Sequence, residues 1–472
     1  MRHEQSLRAD LRTWLAVPAL VLALLWAGGA IAQEAAAPVP DKGDTTWVMV
    51  SAILVMMMTI PGLALFYGGL VRSRNVLSVL MQVLTVFSVM SILWVVFGYS
   101  LAFTGAADAT SAGPLTPFIG GLSKAFLAGV TTDSLAETFS TGVFIPELAF
   151  VAFQMAFACI AASLIVGATA ERMKFPAILC FVVIWFVLSY LPMAHMVWWW
   201  GGPSAFDAPS GYLFGHGALD FAGGTVIHIN AGIAGLVAAY VAGSRVGYGR
   251  EPMPPHNLTM TLLGGCLLWV GWFGFNAGSN LEANGLTALA IINTAVATSA
   301  GVLAWSFAEW ATRGHPSLLG GVSGAIAGLV AVTPAAGFAG PMGAIAIGLL
   351  SGLVCMWFVV TMKSRVGIDD SLDVFGIHGV GGIIGAVLTG VFAAPSLGGS
   401  GVFDYATGAV GAYDMAGQVG TQTLGVVICI VWSGIVSFAA IHLVRATIGL
   451  RVSTTDERQG LDLTTHGESA YN

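Results

Sequence analysis

Apolar and polar positions in this chain come in long blocks rather than in alternation. From residue 46 onward, eleven apolar stretches are separated by polar linkers, at about 46–68, 75–103, 143–170, 175–195, 221–243, 257–278, 285–311, 317–334, 341–363, 371–394 and 417–448. A stretch of about 20 apolar residues spans the hydrocarbon of a bilayer as a helix, which satisfies its own backbone polar groups where no water can. The pattern predicts an all-α polytopic membrane protein with eleven transmembrane helices. Eleven divides as five, five and one. Because five is odd, the second block starts from the opposite side of the bilayer. Two inverted five-helix repeats are therefore expected, about 46–243 and 257–394, followed by a long C-terminal helix at about 417–448.

Composition agrees with this reading. The 472 residues are 56% hydrophobic and 9% charged, and their mean hydropathy is +0.84; soluble domains carry about 25% charged residues. The 62 glycines suit helices that approach closely. Cys159, Cys180, Cys266, Cys355 and Cys429 all fall in apolar spans, and no pair suggests a metal site or a disulfide framework. No phosphate-binding loop, zinc-protease or nucleophile-elbow motif stands in a usable context, so neither enzyme nor cofactor is expected.

The distribution of charge orients the chain. Twelve basic residues, from Arg72 to Arg458, fall in alternate linkers and the tail, whereas the other linkers hold only Lys42 and Lys124. The positive-inside rule puts the N-terminus outside and the tail, 449–472, in the cytoplasm. Arg2, Arg8 and Arg12 precede an apolar run at 14–26, and Ala30-Ile31-Ala32 precedes Gln33. This pattern predicts a cleaved signal peptide over 1–32 and a membrane domain over 33–448.

Two histidines carry the candidate chemistry. His228 follows Asp220 in the stretch 220–230, and His378 follows Asp373 in 373–379; each lies one to two turns inside an apolar span. One lone histidine is more often a satisfied packing residue. A matched pair, on the last helix of each repeat, points to a shared proton inside an apolar pore. Phe157 and Phe275, expected near the outer ends of their helices, are either packing aromatics or a constriction. Trp198 opens Trp198-Trp199-Trp200, which is either an interfacial belt or a cation–π platform. Ser279 adds a hydrogen-bond acceptor. Asp220 is an N-cap that also makes the vestibule electronegative, and Asp369, Asp370 and Asp373 read as caps and loop anchors.

These stretches together resemble the ammonium transporter (Amt/MEP/Rh) family, its bacterial Amt branch above all. The resemblance is carried by residues 60–70, 167–172, 194–198, 220–230, 272–279 and 373–379, with Gly460-Leu461-Asp462 and His466-Gly467-Glu468 in the tail. It implies a homotrimer in the bacterial inner membrane with one pore per subunit. Trp198, Phe157 and Ser279 would form the ammonium-binding site, supported by Asp220. Phe157 and Phe275 would form the gate, and His228 with His378 the pore pair. A cytoplasmic PII-type signalling protein is the implied partner, with no nucleic acid. Two departures concern the outer vestibule: a longer linker after Trp198, and Asn280 where a small residue is common. The rival readings are a neutral gas channel of the Rh kind, which would waste a cation platform, and an ammonium sensor acting through its tail.

Overall fold

The computed structural model describes residues 38–106 and 108–471; the expected signal peptide lies outside them. Among the described residues, eleven helices are long and apolar enough to cross a membrane: α1 Lys42–Leu70, α2 Ser73–Phe103, α3 Glu147–Thr169, α4 Phe175–Trp198, α5 Gly224–Ala242, α6 Leu258–Gly278, α7 Gly285–Arg313, α8 Leu318–Ala335, α9 Pro341–Met362, α10 Phe375–Phe392 and α11 Met415–Thr447. These are the eleven blocks of the sequence, with ends moved by a few residues. Polar caps decide several of the starts. The side chains of Asp41, Asn257, Asn284 and Ser317 each accept a backbone N–H from the first turn of α1, α6, α7 and α8. α1 breaks at Ile60–Pro61, where the proline ring cannot continue the helical ladder.

The two sets of five pack on one plan. α3 lies against α1, α2 and α5; α8 lies against α6, α7 and α10. α1 packs on α6 and α5 crosses α10, so equivalent helices meet at the centre. The long α11 runs against α4, α5 and α10 and so bridges both sets. Between α2 and α3 the linker holds a short antiparallel pair, β1 Leu135–Glu137 with β2 Phe144–Pro146, in register Ala136 to Ile145. A smaller pair, β3 Phe403–Asp404 with β4 Ala409–Val410, closes the linker before α11.

Glycine sets how close α5 and α10 come. Gly232 and Gly382 each stand four residues after a histidine, one on each helix. A β-carbon on Gly232 would lie 2.5 Å from Gly379 N and 2.6 Å from Gly379 Cα. On Gly382 it would lie 2.9 Å from Ile229 Cγ1 and 3.2 Å from His228 Cβ. Any larger residue would wedge the helices apart.

At the end of the bundle opposite Trp198, charged side chains tie four linkers together. Glu171 accepts from Arg72 at 2.9 Å and from Arg245 at 3.0 Å, and Arg245 also pairs with Asp369 at 2.8 Å. Burial pushes the Glu171 carboxyl up, but Arg245 and Arg72 outweigh it and hold the group below its ordinary value. Buried Arg172 donates to the carbonyls of Ala168, Ala170, Gly243 and Asp369 and to Ser371 Oγ. Burial brings its guanidinium down to about 10.

The tail packs on this network. Glu457 accepts from Val246 N at 2.6 Å and Arg451 at 2.5 Å, and Leu461 N donates to Asn75 Oδ1 at 2.9 Å. Asp462 Oδ1 accepts from Ser78 N at 2.8 Å, capping α2 where Asn75 provides no side-chain cap. The packing of α5 on α10 yields a stability test. Gly232→Ala should destabilise the protein by about 1–3 kcal/mol, because its β-carbon meets backbone. Gly382→Ala should cost less, because its nearest contacts, Ile229 Cγ1 at 2.9 Å and Gly224 O and His228 Cβ at 3.2 Å, are looser than the backbone contact at 2.5 Å that Gly232→Ala meets. Thermal unfolding in detergent checks both; an unchanged midpoint for Gly232→Ala contradicts the close crossing.

Candidate functional site

The two histidines meet. His228 Nδ1 and His378 Nδ1 are 3.2 Å apart, and both side chains are buried. Each lies in a wide π-helical turn, Gly224–Ile229 and Phe375–Gly379, at the start of its helix. Such turns recur at functional sites because they redirect side chains. A hydrogen bond between two Nδ1 atoms needs one N–H and one lone pair. The partners therefore carry opposite tautomers, and one Nε2 donates where the other accepts. His228 Nε2 finds no hydrogen-bond partner among the described residues. Its ring stacks on Trp272 at 5.4 Å, and Trp272 is held by its N–H to Thr333 Oγ1 at 2.9 Å. Sequence gives Trp272, which opens the stretch 272–279, no role of its own and does not mark Thr333; their neighbourhood in space does.

The carboxylates that open these two helices also match, with one correction. Asp220 stands eight residues before His228, and Asp370, rather than Asp373, stands eight before His378. Asp220 accepts from the backbone N–H of Gly223 at 2.8 Å, Gly224 at 2.6 Å and Thr225 at 2.8 Å, and from the Thr225 hydroxyl. Asp370 accepts from Val374 N at 3.1 Å and Phe375 N at 2.8 Å. Both are caps. Burial raises the Asp220 carboxyl against these hydrogen bonds. At Asp370, burial raises the carboxyl to about 6 while Lys363 opposes it. Asp373 instead pairs with Lys363 at 2.7 Å, and Asp369 anchors Arg245.

From the histidines a column of rings leads to the opposite end. Phe275 lies 6.0 Å from His228 between ring centres. Phe157 and Phe275 stack at 4.2 Å with their planes 6° apart, leaving no passage between them. Trp198 meets Phe157 edge-on at 6.0 Å and 78°. Phe275 is near the end of α6 as expected, but Phe157 is at mid-length of α3, which begins ten residues earlier at Glu147. Trp198 is half-buried, and its indole N–H donates to the Asp220 carbonyl at 2.9 Å. Asp220 thus ties the tryptophan to the start of the His228 helix, while its carboxylate is spent on backbone. Ser279 donates to the Phe275 carbonyl at 2.8 Å, which leaves its oxygen free to accept. Asn280 Nδ2 is turned to Glu282 O, Asn284 Oδ1 and Thr287 Oγ1, in the cap of α7. Trp199 and Trp200 stack on protein rings, His195 and Phe139 among them, instead of forming a lipid belt.

The sequence fits the Ammonium Transporter Family over residues 46–471. An ammonium transporter of Bacillus subtilis (strain 168) is 46% identical over 436 residues, covering 91% of this chain and 99% of that protein. One from Aquifex aeolicus (strain VF5) is 45% identical over 433 residues, covering 92% and 94%. Among solved structures, Saccharomyces cerevisiae Mep2 superposes with a TM-score of 0.76 at 32% identity, covering 88% of this chain and 89% of that one. A structure described as a sensor Amt protein superposes with a TM-score of 0.78 at 27% identity, covering 90% and 98%. On sequence and fold alike, this chain belongs to the ammonium transporter family.

Proposed function

We propose that the protein takes ammonium from the Trp198 end, removes its proton there, and conducts neutral ammonia past Phe157 and Phe275 and along the histidine pair. The proton follows by a separate relay, so transport carries charge. The observation that carries this reading is the unbroken ring column Trp198–Phe157–Phe275–His228–His378, with spacings of 6.0, 4.2, 6.0 and 5.3 Å. A tryptophan face and a serine oxygen attract a small cation; stacked phenylalanines behind them exclude it as a cation. Potassium has ammonium's charge but no proton to lose. Carrying that charge into the apolar pore costs many kcal/mol. Deprotonation is then the selectivity step.

The same reading sets the protein in its surroundings. The Trp198 end faces outward and the tail lies in the cytoplasm of a bacterial inner membrane, on the strength of the basic linkers. The working unit is a homotrimer, and a PII-type signalling protein binds the cytoplasmic face. The tail is regulatory: it contacts Asn75, Ser78 and Val246. Val246 adjoins Arg245, which holds Asp369, the neighbour of the cap of the His378 helix.

Three measurements test this. First, Trp198→Leu should weaken apparent ammonium affinity several-fold, as expected for a cation–π contact of about 0.5–2 kcal/mol, with trimer and fold intact. Unchanged affinity would return Trp198 to a packing role. Second, removal of residues 453–472 should alter coupling between subunits or binding of the PII-type protein at normal expression. Normal transport with normal capture of that protein contradicts a regulatory tail. Third, His228→Asp should admit potassium, because a fixed charge in the pore draws in water and cations. His378→Ala adds no charge and should slow ammonium current while still excluding potassium. Currents in proteoliposomes with each cation alone decide; a His228→Asp variant that rejects potassium would assign selectivity to the phenylalanine gate.

A further inference from the structure

His195 stands in the last turn of α4, three residues before Trp198, and is fully buried. Its ring is held at both nitrogens. Nδ1 is 2.9 Å from the carbonyl of Ala102, near the end of α2, and Nε2 is 2.7 Å from the carbonyl of Thr116, in the linker that follows. A carbonyl oxygen only accepts, so each contact calls for an N–H. A neutral imidazole has one N–H and would turn its other lone pair against a carbonyl lone pair. The imidazolium supplies both donors and makes both bonds charge-assisted.

Two neighbours favour that cation. The ring stacks on Trp199 with centres 4.6 Å apart and planes 14° apart, so the indole face lies over it. It also sits in the last turn of a helix, where the macrodipole is negative. Desolvation works against the charge, and the two charge-assisted bonds, the indole face and the macrodipole work for it. The titratable groups on the surrounding elements are engaged elsewhere. Tyr99 on α2 donates to Glu147 at 2.6 Å, and Glu147 binds Lys124. Asp108 in the linker is exposed and holds Thr110 and Ser111. After α4, Asp207 is exposed, and Tyr212 packs on His216 at 4.3 Å. Among the described residues, none of these bonds to the His195 ring.

What the ring joins gives it a role. Ala102 belongs to α2, Thr116 to a linker, and His195 to the turn that presents Trp198. The strap is closed by Tyr212 N, which donates to the Pro117 carbonyl at 2.8 Å, and by Gly211 N, which donates to the Trp199 carbonyl at 2.8 Å. We propose that His195 is a positioning residue for ammonium capture, an imidazolium that straps α2 and its following linker to the end of α4 and thereby holds Trp198 in place. Loss of its proton frees one strap, so capture weakens as pH rises. This rests on Trp198 being the capture site.

The test uses the full-length protein in liposomes. With nitrogen-15 in histidine, the solid-state spectrum of the wild type minus that of His195→Gln should contain two protonated ring nitrogens at neutral pH. One protonated and one bare nitrogen would overturn the proposal. In transport, His195→Asn keeps a donor near Ala102 and His195→Gln keeps one near Thr116, and neither side chain titrates. Each should raise the apparent KM for ammonium about fivefold, the worth of one hydrogen bond, with maximal current little changed. Wild-type affinity, reckoned on ammonium concentration, should fall with rising pH, whereas both variants stay flat. If Trp198→Leu weakens capture but both His195 variants keep the wild-type affinity and pH profile, the capture site stands and the strap falls. If Trp198→Leu leaves affinity unchanged, the capture reading fails and the positioning role fails with it.

Discussion

Two imidazoles inside a membrane bundle must find their hydrogen bonds within the protein, and here they find them in each other. That single Nδ1–Nδ1 contact at 3.2 Å constrains the rest. It requires α5 and α10 to cross almost backbone to backbone, which is why the position four residues after each histidine is glycine. It requires both helices to begin in a wide turn, and each turn is held by an aspartate eight residues before its histidine. It also forces opposite tautomers on the pair, so the two rings present one donor and one acceptor rather than two equal groups.

The repetition stops at the two ends of the bundle, where the matched caps do different work. At one end the Asp220 carbonyl receives the Trp198 indole, which ties a half-buried ring to the helix that carries His228. At the other, Asp370 adjoins Asp369, which joins the Arg72–Glu171–Arg245 network on which the tail rests. One helix pair thus links an aromatic mouth to a charged face. Within that network the buried Glu171 is compensated by two guanidiniums and Asp369 by one, as charges removed from water must be.

Much of this was legible in the chain. The apolar blocks counted the helices and the odd division predicted the crossing of α5 on α10, because length and hydropathy alone decide what spans a bilayer. The pairing of His228 with His378 followed from their equal depth. The counterpart of Asp220 is Asp370 rather than Asp373, because equal distance to the histidine, and not nearness to the helix start, marks the equivalent position. Trp272 had no role from sequence, because with Phe273 and Phe275 beside it in an apolar span nothing marks which ring faces the histidine. The same is true of Arg172, whose partners are mostly backbone carbonyls that sequence does not display. The placing of Phe157 at mid-helix depends on where α3 begins, at Glu147, which apolar periodicity does not fix.

We propose that the cation gives up its proton before it passes the stacked phenylalanines. The most direct measurement compares ammonium-driven current through the wild-type protein in proteoliposomes prepared in light and in heavy water. Breaking an N–H bond and relaying the proton are both slowed by deuterium, so the account predicts a current that falls in heavy water by more than the change in viscosity. A current that falls only with viscosity would mean that ammonium crosses as an intact cation, and would contradict the account.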